Sequence, residues 1–218
     1  MVLLTVRSMR SESPWIGIFR MDIQKRMAEI LAAEAAAIAA VQVNPDFELA
    51  VLALRDSKGK VLTTGMGKAG HVARKFASTL CSTGTPAAYL HPGEAAHGDL
   101  GVVQADDCIV AFSTSGKTRE VLEMLRFGRQ LGLKTVISVT SHAESELREL
   151  SDIVVDMGPV AEPCIHSLTP SASILVMMAI SDAIALVLME LKGFTRDDFG
   201  LRHHGGYLGK KARLEEQN

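Results

Sequence analysis

Ser113, Ser115 and Thr118 place three hydroxyls within six residues, around a single glycine, Gly116. An apolar run, CIVAF, ends just before them, and a helix-like stretch, TREVLEMLRFGRQLGL, begins among them. A glycine lets the backbone come close to a ligand, and amides at the start of a helix point outward with the positive end of the helix dipole. Such a nest binds an anion, and Ser and Thr donors suit a phosphate monoester that must leave again. The plainer reading is helix capping by Ser115 or Thr118. Capping needs one hydroxyl, however, and the segment supplies three, with Thr114 beside them.

A second glycine-rich turn, Gly65-Met66-Gly67-Lys68-Ala69-Gly70, has the spacing G-x-G-x-x-G. A dinucleotide site would want an acidic residue at the end of the next strand, about 20 residues on. That strand ends at Leu90-His91-Pro92, and Glu94 lies only in the loop beyond. No GxxxxGK[ST] occurs either, so the turn offers its amides, and Lys68, to an anion without the other marks of a nucleotide fold.

The elements that must hold these turns follow from periodicity. Apolar residues recur at helical spacing over 22–41, 46–56, 67–84, 118–132, 144–150 and 171–192. Short continuous apolar runs at 61–65, 86–90, 108–112, 134–140 and 152–157 read as strands buried on both faces. The segment 91–107 and the tail from Phe194 read as loop-rich and polar. Alternation of this kind predicts an α/β fold, a three-layer αβα sandwich around a five-stranded parallel sheet. Ligands of such folds bind at the carboxyl ends of the strands. That rule selects the loops after VLTTG, after YLHP and after CIVAF.

With these residues in hand, the sequence resembles the sugar isomerase (SIS) domains, which bind phosphosugars and have a flavodoxin-like architecture. SxSGxTxE after a strand is their signature. HPGEAAHGDLG (91–101), GMGKAGHVARK (65–75), GFTRDDF (193–199) and HHGGYLGKK (203–211) narrow the resemblance to the arabinose 5-phosphate isomerase type, which serves Kdo and lipopolysaccharide biosynthesis. The resemblance spans about residues 25–214. It implies a phosphate site at Ser113, Thr114, Ser115, Gly116 and Thr118 with Gly67 and Lys68. It places Lys68 near the sugar or its phosphate, Glu120 at the end of the signature, Glu162 at a second functional glutamate, His203 at the histidine of an SHPGG motif, and His97 in the lining of the same site. It implies a homotetramer in which His203 reaches a neighbouring subunit, and it requires no metal or other cofactor. The relatives usually carry a CBS pair after this point, which the chain, ending at Asn218, is expected to lack; residues 1–21 are expected to be an extension before a single domain over 22–218.

The chemistry fits those residue types. Moving a proton between C1 and C2 of a sugar needs a carboxylate to take it and return it, an acid–base group for ring opening or the hydroxyl proton, and a cation for the enediolate oxygens. Glu162 is the leading base, with Glu120 able to share the role, His203 the shuttle and Lys68 the cation. The expected reaction interconverts D-ribulose 5-phosphate and D-arabinose 5-phosphate. A 3-hexulose 6-phosphate or sedoheptulose 7-phosphate substrate remains a rival, as does a phosphosugar sensor without turnover. Three departures bear on this: His204 stands where SHPGG has proline, LTPSAS (168–173) replaces LAPTSST, and Lys117 stands where relatives often have glutamate.

Composition agrees. The net charge of −2 over 218 residues offers no basic surface for nucleic acid or an anionic membrane. Cys81, Cys108 and Cys164 are widely spaced in apolar contexts, which predicts buried free thiols and a cytoplasmic location. No uninterrupted apolar run reaches the roughly 18 residues that would span a bilayer, and the first twenty residues lack the order of a signal peptide.

Overall fold

The carboxylate of Asp22 accepts from the amide of Lys25 at 3.0 Å and caps the first described helix. The structure, a computed structural model, describes residues 21–214. Of the expected extension over residues 1–21, all but Met21 lies outside the described residues.

In chain order the elements are α1 (Ile23–Ala39), α2 (Pro45–Asp56), β1 (Val61–Gly65), α3 (Gly67–Ser82), β2 (Ala87–Tyr89), α4 (Pro92–Ala95), a 3₁₀ turn (Asp99–Val102), β3 (Cys108–Phe112), α5 (Arg119–Gln130), β4 (Thr135–Thr140), α6 (Glu146–Leu150), β5 (Ile153–Asp156), α7 (Ala172–Leu191), α8 (Arg196–Arg202) and α9 (Tyr207–Leu214). All strand pairs are parallel, in the order β2-β1-β3-β4-β5. This is the expected α/β sandwich, in the flavodoxin-like strand order. Helices α4, α8 and α9 fall in segments that read as loop. Helix α4 begins on Pro92 with His91 Nδ1 accepting from Gly93 and Glu94, and α8 begins with a capping box between Thr195 and Asp198.

The strands are buried on both faces, and their residues alternate between two cores. Val61, Cys108, Val110 and Phe112 pack under α2, α3 and α7; Leu62, Ile109 and Ala111 pack under α5 and α6. The two threonines of β1 survive burial by pairing: Thr63 Oγ1 donates to Ala73 O of α3 at 2.7 Å, and Thr64 Oγ1 lies 3.6 Å from Met124 Sδ of α5. A buried hydroxyl without such a partner would be costly.

α7 runs beside α3 in the same direction. Lys75 of α3 pairs with Asp182 of α7, and Lys192 Nζ donates to Thr85 Oγ1 at 2.9 Å just beyond the two helix ends. Helix α7 is strongly apolar, with a mean hydropathy of 2.3, long enough by length and composition to cross a bilayer, yet half of it is buried, where it packs on α1, α2 and α3. Outward-facing Leu186, Val187 and Leu191 remain exposed, as do Ile23, Met27 and Leu31 of α1, a helix that buries no residue completely. Of the three thiols expected to be buried, only Cys108 is; Cys81 is exposed and Cys164 half-buried.

Candidate active site

The sheet changes winding direction between β1 and β3. Beyond β1 the chain turns outward through α3 to β2; beyond β3 it turns the other way through α5 to β4. The two loops that leave this point are Gly65–Lys68 and Ser113–Thr118, so both glycine-containing turns flank the crevice where ligands of such sheets bind.

Each glycine of the first turn has its own reason. A side chain on Gly65 would strike the backbone of Ala69; one on Gly70 would meet Gly65 O and the Tyr89 hydroxyl. Gly67 sits at φ +58° in open space at the start of α3. Tyr89 clamps the turn by donating to Gly65 O at 3.0 Å. Burial pushes the Tyr89 phenol up, while Arg74, stacked 4.5 Å from the ring centre, opposes that shift. Lys68 is exposed in the first turn of α3.

The second turn is built from backbone as much as from hydroxyls. Thr118 occupies the N-cap position of α5 but does not cap it. Its Oγ1 lies 2.8 Å from Ser113 Oγ instead, and Ser113 Oγ accepts from the Gly116 amide at 3.1 Å. Ser115 Oγ accepts from the Lys117 amide at 3.2 Å. The capping alternative is therefore not what Thr118 does.

The carbonyls of the turn are drawn toward the β4–α6 loop. Thr114 O accepts from Ser141 N at 3.0 Å, His142 N at 3.3 Å and Thr140 Oγ1 at 3.3 Å; Gly116 O accepts from Leu147 N at 3.1 Å. With carbonyls fixed on that side, the first-turn amides of α5, which have no acceptor within the helix, remain to serve an anion. Gly116 must be glycine here: φ is +62°, and a Cβ would fall 2.3 Å from Ser145 Oγ. Ser145 Oγ is buried without a partner at this contact. Ser141, Thr140 and Ser145 went unnoticed in the sequence, although TSHAES directly after a strand is itself a cluster of small hydroxylated residues.

Glu120 is exposed in the first turn of α5, beside this nest. Glu162 lies in the loop between β5 and α7, and its carboxylate closes the start of α7. Oε2 accepts from Ser171 N at 2.8 Å and Ala172 N at 2.9 Å, and Oε1 from Ser173 N at 3.3 Å. From α1, Arg26 donates to Pro163 O next to it. Because α3 and α7 run together from one edge, this places Glu162 at the same edge of the sheet as Lys68. His97, exposed after α4, belongs to the loops of that edge too.

The same loop holds Cys164, whose Sγ accepts from the amides of Leu168 and Thr169 at 3.3 Å each. Hydrogen bonding from the Thr169 and Leu168 amides brings the thiol down to about 7. Burial sends Cys108 the other way, to about 12.

His203 stands elsewhere. Its ring stacks on Phe199 at 3.8 Å, and Nδ1 lies 2.9 Å from Phe199 O. Neighbouring Arg202 covers Phe194, which packs on Gly84 where the chain enters β2. That is the edge where strands begin. The sixteen residues of α3 separate it from Lys68, a distance of about 24 Å at 1.5 Å per residue. Within one chain the structure gathers Lys68, the 113–118 turn, Glu120, Glu162 and His97 at one edge and leaves His203 at the other. Among the described residues, no three His, Cys, Asp or Glu side chains converge as a metal site.

Comparison with known proteins identifies the family of the chain. The SIS domain matches residues 53–187. The arabinose 5-phosphate isomerase KdsD of Pseudomonas aeruginosa is 41% identical over 177 residues, covering 81% of this chain and 54% of that protein. KdsD of Escherichia coli K12 is 39% identical over 195 residues, covering 88% and 59%. The chain thus spans little more than half the length of these relatives. Among solved structures, a phosphosugar isomerase candidate involved in capsule formation, from Bacteroides fragilis, superposes with a TM-score of 0.81 at 40% identity, covering 84% of this chain and 98% of that one. A protein of E. coli CFT073, solved in complex with arabinose 5-phosphate, gives 0.80 at 39%, covering 84% and 97%.

Proposed function

Because the chain belongs to the SIS-domain family, we propose that it is an aldose–ketose isomerase that interconverts D-ribulose 5-phosphate and D-arabinose 5-phosphate. The observation that carries this reading is the 113–118 turn at the switch point, with its carbonyls tied back and its glycine irreplaceable, beside Lys68. It is a receptor for a phosphate monoester in a place where a sugar would extend toward Glu162. The names of the relatives, and the arabinose 5-phosphate bound in the E. coli structure, support the pentose over the hexulose and heptulose alternatives.

In this reading the phosphate sits on Ser113, Ser115, Thr118 and the backbone at Thr114 and Gly116, with Gly67 and Lys68 closing over it. Glu162 takes the proton from the carbon next to the carbonyl, leaving a cis-enediol(ate). The proton on its carboxyl exchanges with water, and Glu162 then delivers a proton to the neighbouring carbon while a hydroxyl proton crosses between O1 and O2. Lys68 stabilises the enediolate oxygen, Glu120 shares in proton handling and His97 lines the pocket. His203 opens the ring or carries the hydroxyl proton, and it acts in a neighbouring subunit, since α3 keeps it from its own. A homotetramer that buries the exposed apolar faces of α1 and α7 would deliver it. No cofactor enters this scheme, and the reaction belongs in the cytoplasm.

The test is product formation from D-ribulose 5-phosphate in deuterated water, followed by NMR. Arabinose 5-phosphate labelled at C2 is expected, with activity falling on dilution to monomers. Saturable binding without turnover or exchange would overturn the reading.

A further inference from the structure

Ser141 bonds both to the phosphate turn and to the loop bearing Glu162, and we propose that it is a positioning residue that fixes their relative placement. The proposal rests on the isomerase reading above. Ser141 follows β4, the strand between the one that ends at the phosphate turn and the one that ends at the Glu162 loop. Its amide donates to Thr114 O at 3.0 Å, and its hydroxyl donates to Gly158 O at 2.6 Å. Gly158 is the hinge at which the chain leaves β5, at φ +70°, four residues before Glu162.

Neighbouring bonds stiffen both ends of this bridge. Met157 N donates to Thr140 O at 2.9 Å, and Arg148 links His142 O at 2.6 Å with Asp156 at 2.8 Å. Gly158 N is fixed in turn by Asp156 at 2.7 Å. Beyond Gly158 the loop is anchored by the capping contacts of Glu162 and by Arg26 on Pro163. A phosphate drawn onto the 113–118 turn therefore meets a backbone whose carbonyl is fastened, through Ser141, to the loop carrying the base. The bridge sets the spacing between the anchored phosphate and the carbon to be deprotonated.

Ser141→Ala keeps the amide and removes the hydroxyl, so it cuts the link on the Glu162 side alone. A base misplaced by about 1 Å costs roughly 100-fold in rate. The expected result is a fall in kcat of about 10- to 100-fold with KM nearly unchanged. Ser141→Thr, which retains the hydroxyl, restores most of kcat. A loss confined to KM, or failure of the Thr variant to rescue, would overturn the proposal.

A second readout needs no turnover. Cys164 lies within the coupled loop, and its alkylation rate, resolved by peptide mass spectrometry, reports the state of that loop. Inorganic phosphate should change that rate in the wild-type chain and leave it unchanged in Ser141→Ala. Hydrogen exchange of the wild-type amides at 158–171 should likewise slow with phosphate, independent of any variant. An unaltered wild-type response to phosphate would refute the coupling. A clear response in a protein that isomerises no pentose phosphate would leave the coupling standing and remove the isomerase assignment instead.

Discussion

Glu162 and Ala172 are joined end to end: the glutamate Oε2 accepts from the Ala172 amide at 2.9 Å while also holding Ser171 at 2.8 Å. The group proposed to move the substrate proton is thus also the cap of the longest helix. The cap fixes its orientation. In Glu162→Gln, an amide NH₂ replaces one acceptor in front of amide donors. Isomerisation should fall by about 10²- to 10⁴-fold, and stability by about 1 kcal/mol from the damaged cap. Deuterium incorporation at C2 and thermal melting separate the two losses; a domain of this size would melt about 2–4 °C lower.

Gly116→Ala tests the phosphate turn. A left-handed conformation costs a non-glycine residue about 1–2 kcal/mol, and the new methyl would collide with Ser145 Oγ. KM for the sugar phosphate should rise at least tenfold. Adding Ser145→Gly removes the collision but leaves the φ strain, so the double variant should recover part of the affinity. Recovery of none would assign the whole loss to the backbone.

Asp107 supports the opposite edge. It is almost fully buried and accepts from Lys60 N at 3.0 Å, Lys60 Nζ at 2.7 Å and Gln104 N at 2.9 Å. Asp107→Ala leaves the Lys60 and Gln104 amides and the half-buried Lys60 ammonium without this acceptor, at a cost of about 2 kcal/mol. Denaturant unfolding should show this loss, while kcat of the folded enzyme at low temperature stays near wild type, since Lys60 and Asp107 precede the strands whose far ends carry the site.

Cys164 gives a pH-dependent handle. Its thiol is lowered from 9.0 to about 7, so alkylation should rise through about pH 7, while Cys108, raised to about 12 by burial, stays inert. The thiolate's hydrogen bonds support the loop fully above pH 9, and this contribution is lost as pH falls through about 7. Labelling rates between about pH 6 and 9 check this; a midpoint near 9 would show the loop amides do not hold the sulfur.

Strands β1 and β3 were legible to the residue, as VLTTG and CIVAF, because each is a short run of apolar and β-branched residues with turn residues near its ends. The phosphate turn was legible for a related reason: its hydroxyls, glycine and helix start are neighbours in sequence. Helices α8 and α9 were not, since glycines and charges mask their periodicity, though the Thr195–Asp198 capping box was open to reading. The engagement of Glu162 with α7 could not be seen either, because its donors are met nine to eleven residues later, across a loop without periodic pattern. Burial of Cys81 was expected from apolar neighbours, but it faces out from the end of α3, a matter of helical phase and not of composition.

Helix α7 raises a question of timing. On a growing chain, twenty residues of such hydropathy resemble a segment destined for a membrane. Synthesis runs from the amino end, so all five strands and the helix α3 that receives Asp182 have left the ribosome before α7 does. The chain thus delivers its most apolar segment to a surface already available to take it, and the order of elements shortens the interval in which that segment is exposed to competing hydrophobic surfaces.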